Sequence, residues 1–165
     1  MAENKGLKVG ETAPEFTLRS GAGAAVNLAD FRGKAEVVLF FYPKDASPGC
    51  TAEACSFRDR YEDFREAGAE VIGVSSDSSD SHKRFSRSNH LPFLLLSDAD
   101  GSVRARYGVS KTLGLFPGRT TFLIDREGVV RHIFSSQFLP TKHVSEMLGV
   151  LRSLREGKPP TGDRP

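Results

Sequence analysis

The sequence has little cysteine, no marked excess of charge of either sign and no long apolar run, and each absence excludes a class of protein. Two cysteines in 165 residues are too few for a scaffold held together by disulfides. Basic residues exceed acidic ones by 23 − 21 = 2 and are interspersed with them, so no nucleic-acid-binding or membrane-binding face is indicated. No apolar run approaches the ~18 residues that cross a bilayer, and the N-terminal segment lacks the apolar core of a secretory signal.

We therefore expect a protein that has neither nucleic acid nor membrane as a partner. The expected location is the cytoplasm, or the chloroplast stroma if a transit peptide was removed before Met1. The length favours a single domain over residues 1–156. Residues 157–165, GKPPTGDRP, cannot pack a core and are expected to form a disordered tail.

The hydrophobic pattern predicts an α/β fold. Two short alternating segments around a Gly/Ala/Ser turn predict an N-terminal β-hairpin, and continuous β-branched or aromatic runs predict strands buried on both faces. The predicted strands are residues 15–19, 25–28, 37–42, 70–75, 121–124 and 129–134, and the predicted helices are 51–67, 81–88, 102–107 and 141–155. This order predicts a mixed central sheet flanked by helices, with functional sites at the C-terminal ends of strands.

Both cysteines lie in one short stretch, YPKDASPGCTAEAC, which covers residues 42–55. Ser47 followed by Pro48 predicts the start of a helix, with the Ser47 hydroxyl as its N-cap. Cys50 then falls in the first turn, where free N–H groups and the helix dipole favour a thiolate over a thiol. An apolar stripe turns Cys50 inward, whereas Cys55 is predicted to face solvent. The stripe consists of Cys50, Ala54, Phe57, Tyr61 and Phe64.

The two cysteines cannot form a disulfide while this helix is intact. Residues five apart are displaced by roughly 7.5 Å along the helix axis, so their α-carbons exceed the ~7 Å limit for a disulfide. A bridge would require the first turns to unwind, which indicates a catalytic or switching bridge. A zinc site would need further ligands beside the two cysteines, and the four histidines do not have the spacing of zinc ligands. We interpret these histidines as structural or solvated. Two unrelated thiols are the other alternative. The histidines are His82, His90, His132 and His143.

The stretch resembles the peroxiredoxin signature Pro-x-x-x-Thr/Ser-x-x-Cys, with Pro43, Ser47 and Cys50 in place. TAEAC, at residues 51–55, resembles the peroxiredoxin Q, or bacterioferritin-comigratory, subfamily. The likeness covers nearly the whole chain, and its last segment is most similar to cyanobacterial and chloroplast members. The further segments that carry it are GETAPEF (10–16), FRGK (31–34), AEVIGVS (69–75), LLSD (95–98), PGRTTFLID (117–125) and QFLPTKH (137–143).

This resemblance implies a thioredoxin-like fold and a monomeric thiol peroxidase without a metal or organic cofactor. Such enzymes reduce hydrogen peroxide and organic hydroperoxides and are regenerated by thioredoxin. Carried over by position, Cys50 would be the peroxidatic cysteine and Cys55 the resolving cysteine. Cys50 would become a sulfenic acid and then form an intramolecular disulfide with Cys55.

The resemblance also implies supporting roles around Cys50. Pro43 would shield the thiolate from water, Ser47 would supply a hydroxyl to the peroxide, and Arg119 would bind both thiolate and peroxide oxygens. Glu53, one turn after Cys50, would orient Arg119. Ser47 stands where many members have threonine, so the hydroxyl is kept and the methyl that restricts its rotamer is lost.

Further residues complete the predicted site. The backbone N–H groups of Gly49 and Cys50 would stabilise negative charge on the peroxide, and Tyr42, which ends the preceding strand, is a supporting residue. Three apolar residues of the loop before Arg119 are candidates for a rim where hydroperoxide or partner docks. These three are Leu113, Leu115 and Phe116.

Two alternative functions remain at this point. A general dithiol-disulfide oxidoreductase of the same fold would have Cys-x-x-Cys and a proline before the strand threonine, whereas this chain has Cys-x4-Cys and Thr120 before Thr121. A redox-sensing or chaperone-like binding protein would use the same disulfide switch to change a partner surface.

Overall fold

A computed structural model of the chain describes residues 6–109, 118–136 and 138–156. Within these residues the strands are β1 (Thr17–Ser20), β2 (Ala25–Asn27), β3 (Glu36–Phe41), β4 (Ala69–Ser75), β5 (Leu94–Ser97), β6 (Thr120–Ile124) and β7 (Val130–Ser135). The α-helices are α1 (Pro48–Asp59), α2 (Tyr61–Glu66), α3 (Ser79–Asn89), α4 (Ser102–Arg106) and α5 (Lys142–Arg155), and a 3₁₀ turn covers Leu28–Phe31.

The described strands form one seven-stranded sheet in the order β2-β1-β5-β4-β3-β6-β7. β3 is near its centre, parallel to β4 and antiparallel to β6. β1 and β2 form the predicted N-terminal hairpin at one edge. The run VVLFF in β3 is buried throughout, as expected for a strand covered by helices on both faces. The predicted mixed sheet with its hairpin is therefore confirmed.

Two elements differ from the sequence prediction. β5 was missed, because its four-residue run LLLS is too short for periodicity to distinguish from a loop. The single helix predicted over residues 51–67 is two helices, α1 and α2, which meet at Arg60. The apolar stripe continues across this break through Phe57 and Phe64, both buried, so the sequence pattern does not show the break.

Alternate side chains of β3 divide the core between the two faces of the sheet. Val38 and Phe40 belong to a cluster with residues of α1, α2 and α5, and Cys50 lies in this cluster. Leu39 and Phe41 belong to the cluster on the other face. The Cys50 side chain therefore lies between α1 and the sheet, on the face of the sheet that α5 also covers. In the described part of the chain, no helix combines the length and apolar character needed to cross a membrane.

The expected disordered tail, residues 157–165, lies outside the described residues. The prediction of one domain over residues 1–156 remains a prediction.

Candidate active site

The chain leaves the sheet at the end of β3 and enters α1 through a short loop. Ser47 occupies the N-cap position with an extended backbone (φ −72°, ψ 152°), and Pro48 is the first helical residue, as predicted. The predicted capping bond from the Ser47 side chain is wrong. Its hydroxyl donates instead to the Lys44 carbonyl oxygen at 2.9 Å, because the loop brings this acceptor within reach.

Cys50 lies in the first turn of α1 and is 1 % exposed, so the predicted inward orientation is confirmed. The side chain of Arg119, the residue before β6, reaches it from the sheet. Arg119 Nη2 lies 3.4 Å from Cys50 Sγ, and Nη1 donates to Glu53 Oε1 at 2.5 Å. The structure thus brings Cys50, Glu53 and Arg119 together in a buried cluster, with the arginine between a thiol and a carboxylate of one helix.

Burial and pairing act in opposite directions on this cluster. Burial raises the pKa of Glu53 to about 8, against the lowering effect of the charge and hydrogen bond of Arg119. Burial also acts to lower the pKa of Arg119, but the charges of Glu53 and Cys50 outweigh it and raise that pKa. The guanidinium therefore stays charged in a site that is nearly closed to water.

Gly49 makes the approach of Arg119 possible. A Cβ atom on Gly49 would lie 3.1 Å from Arg119 Nη2, closer than ordinary van der Waals contact. The guanidinium therefore lies directly against the backbone of the first turn, beside the N–H groups that the sequence analysis assigned to charge stabilisation.

Cys55 lies five residues further along α1, and both cysteines are free thiols. Its Sγ donates to Asn89 Oδ1 of α3 at 3.6 Å. Cys55 was predicted to face solvent, but its side chain is half-buried, so the prediction overestimates its exposure. The periodicity of α1 describes its packing on the sheet and does not reveal that the end of α3 covers this flank.

Tyr42 and Pro43 connect β3 to the loop. Tyr42 is buried, and its hydroxyl donates to Asp45 Oδ1 at 2.6 Å. Burial, with the nearby charge of Asp45, raises the pKa of Tyr42. Pro43 is half-buried where the chain turns toward α1. The three residues of the predicted apolar rim, Leu113, Leu115 and Phe116, lie outside the described residues.

The groups that anchor this loop were not predicted from the sequence. His82 Nδ1 of α3 lies 2.7 Å from Asp45 Oδ2, and His82 Nε2 donates to the Leu96 carbonyl oxygen at 2.9 Å. The next residue, Ala46, has φ +65°, a conformation that costs free energy for a residue with a side chain. The Asp45 anchor compensates for this strain. Burial acts to raise the pKa of Asp45, but hydrogen bonds from His82 and Tyr42 outweigh it and lower that pKa.

Asp45, Asp77 and His82 form, among the described residues, a group whose potential metal-ligand atoms lie within 4.8 Å of one another. These atoms are already used within the protein. Asp77 Oδ2 accepts from the Asp45 N–H at 2.7 Å and from the Ser75 hydroxyl at 2.6 Å. We therefore interpret the cluster as a loop anchor.

Arg104 is a further residue whose role was not predicted from the sequence. Its Nη2 donates to the Tyr42 carbonyl oxygen and its Nη1 to the Gly118 carbonyl oxygen, both at 2.9 Å. It therefore joins the two chain segments that lead to Pro43 and to Arg119. Tyr42, which directly follows β3, is 62 positions away from Arg104, and no local sequence pattern indicates a hydrogen bond over that separation.

Comparison with known proteins bears directly on this arrangement. Residues 9–133 match the AhpC/TSA family. The chain belongs to this family. The chain is 51% identical over 147 residues to the chloroplastic peroxiredoxin Q of Sedum lineare, covering 88% of this chain and 78% of that one. It is 52% identical over 146 residues to the chloroplastic peroxiredoxin Q of Oryza sativa subsp. japonica, covering 88% and 67%.

Solved structures agree with the fold. Peroxidoxin BcpB from Mycobacterium tuberculosis superposes with a TM-score of 0.83 and 38% identity, covering 90% of this chain and 98% of that one. The bacterioferritin comigratory protein of Xanthomonas campestris gives a TM-score of 0.76 and 31% identity, covering 85% and 92%. The resemblance to peroxiredoxin Q and the thioredoxin-like fold are confirmed. The chain is a thiol-dependent peroxidase, and peroxiredoxins act on hydroperoxides and are reduced by thioredoxin-like partners.

Proposed function

We propose that Cys50 is the peroxidatic cysteine and Cys55 the resolving cysteine of this thioredoxin-dependent peroxidase. The observation that carries the proposal is the 3.4 Å contact between Arg119 Nη2 and the buried Cys50 Sγ at the start of α1. A cation and a helix N-terminus both favour a thiolate. The same groups are placed to interact with a peroxide that approaches the sulfur.

In the first step the Cys50 thiolate attacks one oxygen of the hydroperoxide. A sulfur–oxygen bond forms while the oxygen–oxygen bond breaks, and the hydroperoxide proton moves to the leaving oxygen. The products are the sulfenate of Cys50, which takes up a proton to become the sulfenic acid, and water or an alcohol. Arg119 and the N–H groups of Gly49 and Cys50 stabilise negative charge on the oxygens during this step.

Ser47 and Pro43 complete the substrate side of the site. Because the Ser47 hydroxyl donates its proton to the Lys44 carbonyl, its lone pairs are left to accept a hydrogen bond from the hydroperoxide. Pro43, which has no N–H, shields the thiolate from water, and Tyr42 supports the loop through Asp45.

In the second step Cys55 reduces the sulfenic acid. Its sulfur bonds to Cys50 Sγ, the Cys50–oxygen bond breaks, and the oxygen leaves as water. Since residues five apart in a helix are too distant to bond, the first turns of α1 unwind, and the 3.6 Å contact of Cys55 with Asn89 is lost. A dithiol of thioredoxin then attacks the bridge, so both cysteines are reduced and the thioredoxin is oxidised.

The relatives support the finer parts of this proposal. The Xanthomonas protein is described for its alkyl peroxide reduction activity, which supports organic hydroperoxides as substrates beside hydrogen peroxide. The chloroplastic names of the plant relatives favour the stroma over the cytoplasm as the compartment. The resemblance to peroxiredoxin Q also favours a monomer.

A coupled assay tests the proposal. Peroxide-dependent NADPH oxidation is measured with thioredoxin and its reductase, for the wild type, Cys50→Ser and Cys55→Ser. We expect turnover by the wild type, none by Cys50→Ser and strongly reduced turnover by Cys55→Ser. Full turnover by Cys50→Ser would overturn the assignment of Cys50. Normal cycling of Cys55→Ser with thioredoxin would overturn the assignment of Cys55 alone.

A further inference from the structure

Arg104 carries a buried positive charge that no salt bridge explains. The residue is 9 % exposed, and among the residues that the structure describes none offers its guanidinium a carboxylate within ion-pair distance. Burying a charge is costly unless strong hydrogen bonds compensate for the lost water. The reason for its place must therefore lie in the two backbone carbonyl groups that it bonds.

These carbonyl groups lie where the central pair of strands ends. β3 and β6 are paired as far as Phe41 and Thr120. Beyond this pair Pro43 has no N–H with which to continue the ladder. The guanidinium supplies donors at this point, with Nη2 on the Tyr42 carbonyl oxygen and Nη1 on the Gly118 carbonyl oxygen, both at 2.9 Å. One rigid group therefore joins two chain segments as they leave the sheet.

Both segments lead to residues of the proposed active site. Tyr42 is followed by Pro43, and Gly118 is followed by Arg119. Arg119 Nη2 lies 3.4 Å from Cys50 Sγ. A change in the spacing of the two segments would move Arg119 relative to the sulfur, and small displacements of such groups are costly to a reaction.

α4 brings Arg104 to this place from the face of the sheet opposite Cys50. Asp98, which follows β5, fixes the start of α4 by accepting from the N–H groups of Val103 at 3.1 Å and Arg104 at 2.8 Å. The guanidinium carbon lies 5.8 Å from the ring centroid of Phe41, which belongs to the core cluster of that face. Burial lowers the pKa of Arg104, and the charges of Asp98 and Cys50 act in the opposite direction.

We propose that Arg104 is a positioning residue for peroxide reduction: its guanidinium sets the spacing between the Pro43 segment and the Arg119 segment at the end of the sheet. The assignment rests on the proposed function of Cys50. It gives a role to a residue of α4, which the resemblance to the family left without one. Arg104 itself touches neither the peroxide nor the sulfur in this scheme.

Two replacements of Arg104 separate positioning from the effect of a distant positive charge. Arg104→Lys keeps the charge, but its single nitrogen cannot occupy the places of Nη1 and Nη2 at once. Arg104→Met removes the charge and all donors and keeps an apolar stem. If Arg104 acted only through its charge, Lys would replace it without loss. If it positions the two segments, Lys would be a poor replacement.

The experiment compares two rates of Cys50 in a Cys55→Ser background, in which Cys50 is the only thiol of the chain. The first is the single-turnover reaction with hydrogen peroxide, stopped by thiol alkylation and read by mass spectrometry. The second is alkylation by iodoacetamide at the same pH, which needs the thiolate but breaks no oxygen–oxygen bond. A positioning role should lower the first rate and leave the second unchanged.

We expect Arg104→Lys to react with peroxide at least about tenfold more slowly and to alkylate within about twofold of the parent rate, since displaced groups carry costs of that size. Arg104→Met should react with peroxide at least as slowly as Arg104→Lys. A parent rate with peroxide for either variant would overturn the assignment. Equal losses in both rates for Arg104→Lys, or a much faster alkylation that shows a site opened to solvent, would overturn it as well.

Arg106→Lys is the matched control. Arg106 belongs to the same helix and also donates to a backbone carbonyl oxygen, that of Glu15 at 2.7 Å, but it is exposed. This variant should keep both rates. Urea unfolding shows whether each protein is folded, and failure of both Arg104 variants to fold would overturn the assignment in favour of a structural role. Failure of the parent protein to react with peroxide at Cys50 would instead overturn the proposed function.

Discussion

Arg119 Nη1 lies 2.5 Å from Glu53 Oε1, so a cation from the sheet is fixed by a carboxylate one turn beyond Cys50. The planar guanidinium bonds Glu53 with one nitrogen and reaches Cys50 with the other, which a lysine ammonium cannot reproduce. We expect Arg119→Lys to slow the reaction of Cys50 with peroxide by roughly 100-fold, the effect of removing one donor to a developing oxyanion.

This rate is measured in a single turnover with hydrogen peroxide, which is stopped by alkylating the thiols and read by mass spectrometry. Arg126→Lys is the control, since Arg126 pairs with Glu36 at 3.4 Å on the surface and its loss should leave the rate unchanged. Equal rates for Arg119→Lys and the wild type would remove Arg119 from the reaction.

Gly49→Ala should slow the reaction of Cys50 with peroxide without removing any functional group of the site. The added methyl would lie 3.1 Å from Arg119 Nη2, so the guanidinium must move while Glu53 holds its other end. We expect a severalfold slower reaction with peroxide, since displacements well under 1 Å are costly at reacting groups.

Gly149→Ala in α5 is the control, because its new Cβ would meet no atom within 4 Å in the described part of the chain. The control should keep the wild-type rate and gain up to about 1 kcal/mol of stability. Equal rates for both variants would contradict the prediction.

The loop before α1 should depend on the buried pair of Asp45 and His82. His82→Leu leaves the Asp45 carboxylate buried without its 2.7 Å partner, and losing one member of such a pair costs roughly 3 to 5 kcal/mol. Urea unfolding at neutral pH measures the loss. Asp63→Asn is the control, because it breaks the exposed pair with Arg60 and should cost less than about 1 kcal/mol. Similar losses for the two variants would show that the pair does not anchor the loop.

His143 should make the protein sensitive to mild acid. Burial lowers its pKa to about 4 in the folded protein, against an ordinary value of 6.5. Between these pH values the unfolded chain binds a proton that the folded protein does not, so stability is lost as the pH falls from 6.5 to 4. The full difference corresponds to roughly 3 kcal/mol of unfolding free energy.

Urea unfolding at several pH values between 4 and 7 tests this, with His143→Gln as the comparison. Glu53, whose pKa is raised to about 8, acts in the opposite direction above pH 4.5 and is present in both proteins. The free energy of unfolding of the wild type should therefore fall relative to that of His143→Gln as the pH is lowered from 6.5 to 4. Parallel curves for the two proteins would contradict a depressed pKa for His143.

Local patterns predicted the parts of the fold that depend on local physics. Pro48 after Ser47 marked the helix start, and the 3.6-residue period turned Cys50 inward, because neither feature needs knowledge of distant residues. β5 was missed because four residues are too few for a period. The Ser47 hydroxyl was misassigned because it donates to the Lys44 carbonyl oxygen of the preceding loop and does not accept from the helix.

Long-range contacts lay beyond the reach of sequence patterns. His82 meets Asp45 across 37 positions and Arg119 meets Cys50 across 69, and nothing in the local sequence pairs them. Resemblance to the family supplied Arg119 and Glu53, because their positions match its motifs. It did not supply His82 or Arg104, whose contacts became evident only in the fold.

Mass spectrometry of the intact protein after one equivalent of hydroperoxide tests the assignment of the two cysteines most directly. We expect the wild type to lose two hydrogens, to gain no oxygen, and to yield a peptide that joins Cys50 to Cys55. We expect Cys55→Ser to gain one oxygen atom on Cys50. A wild-type protein that consumes peroxide while both thiols stay free, or a Cys55→Ser protein with no oxygen on Cys50, would contradict it.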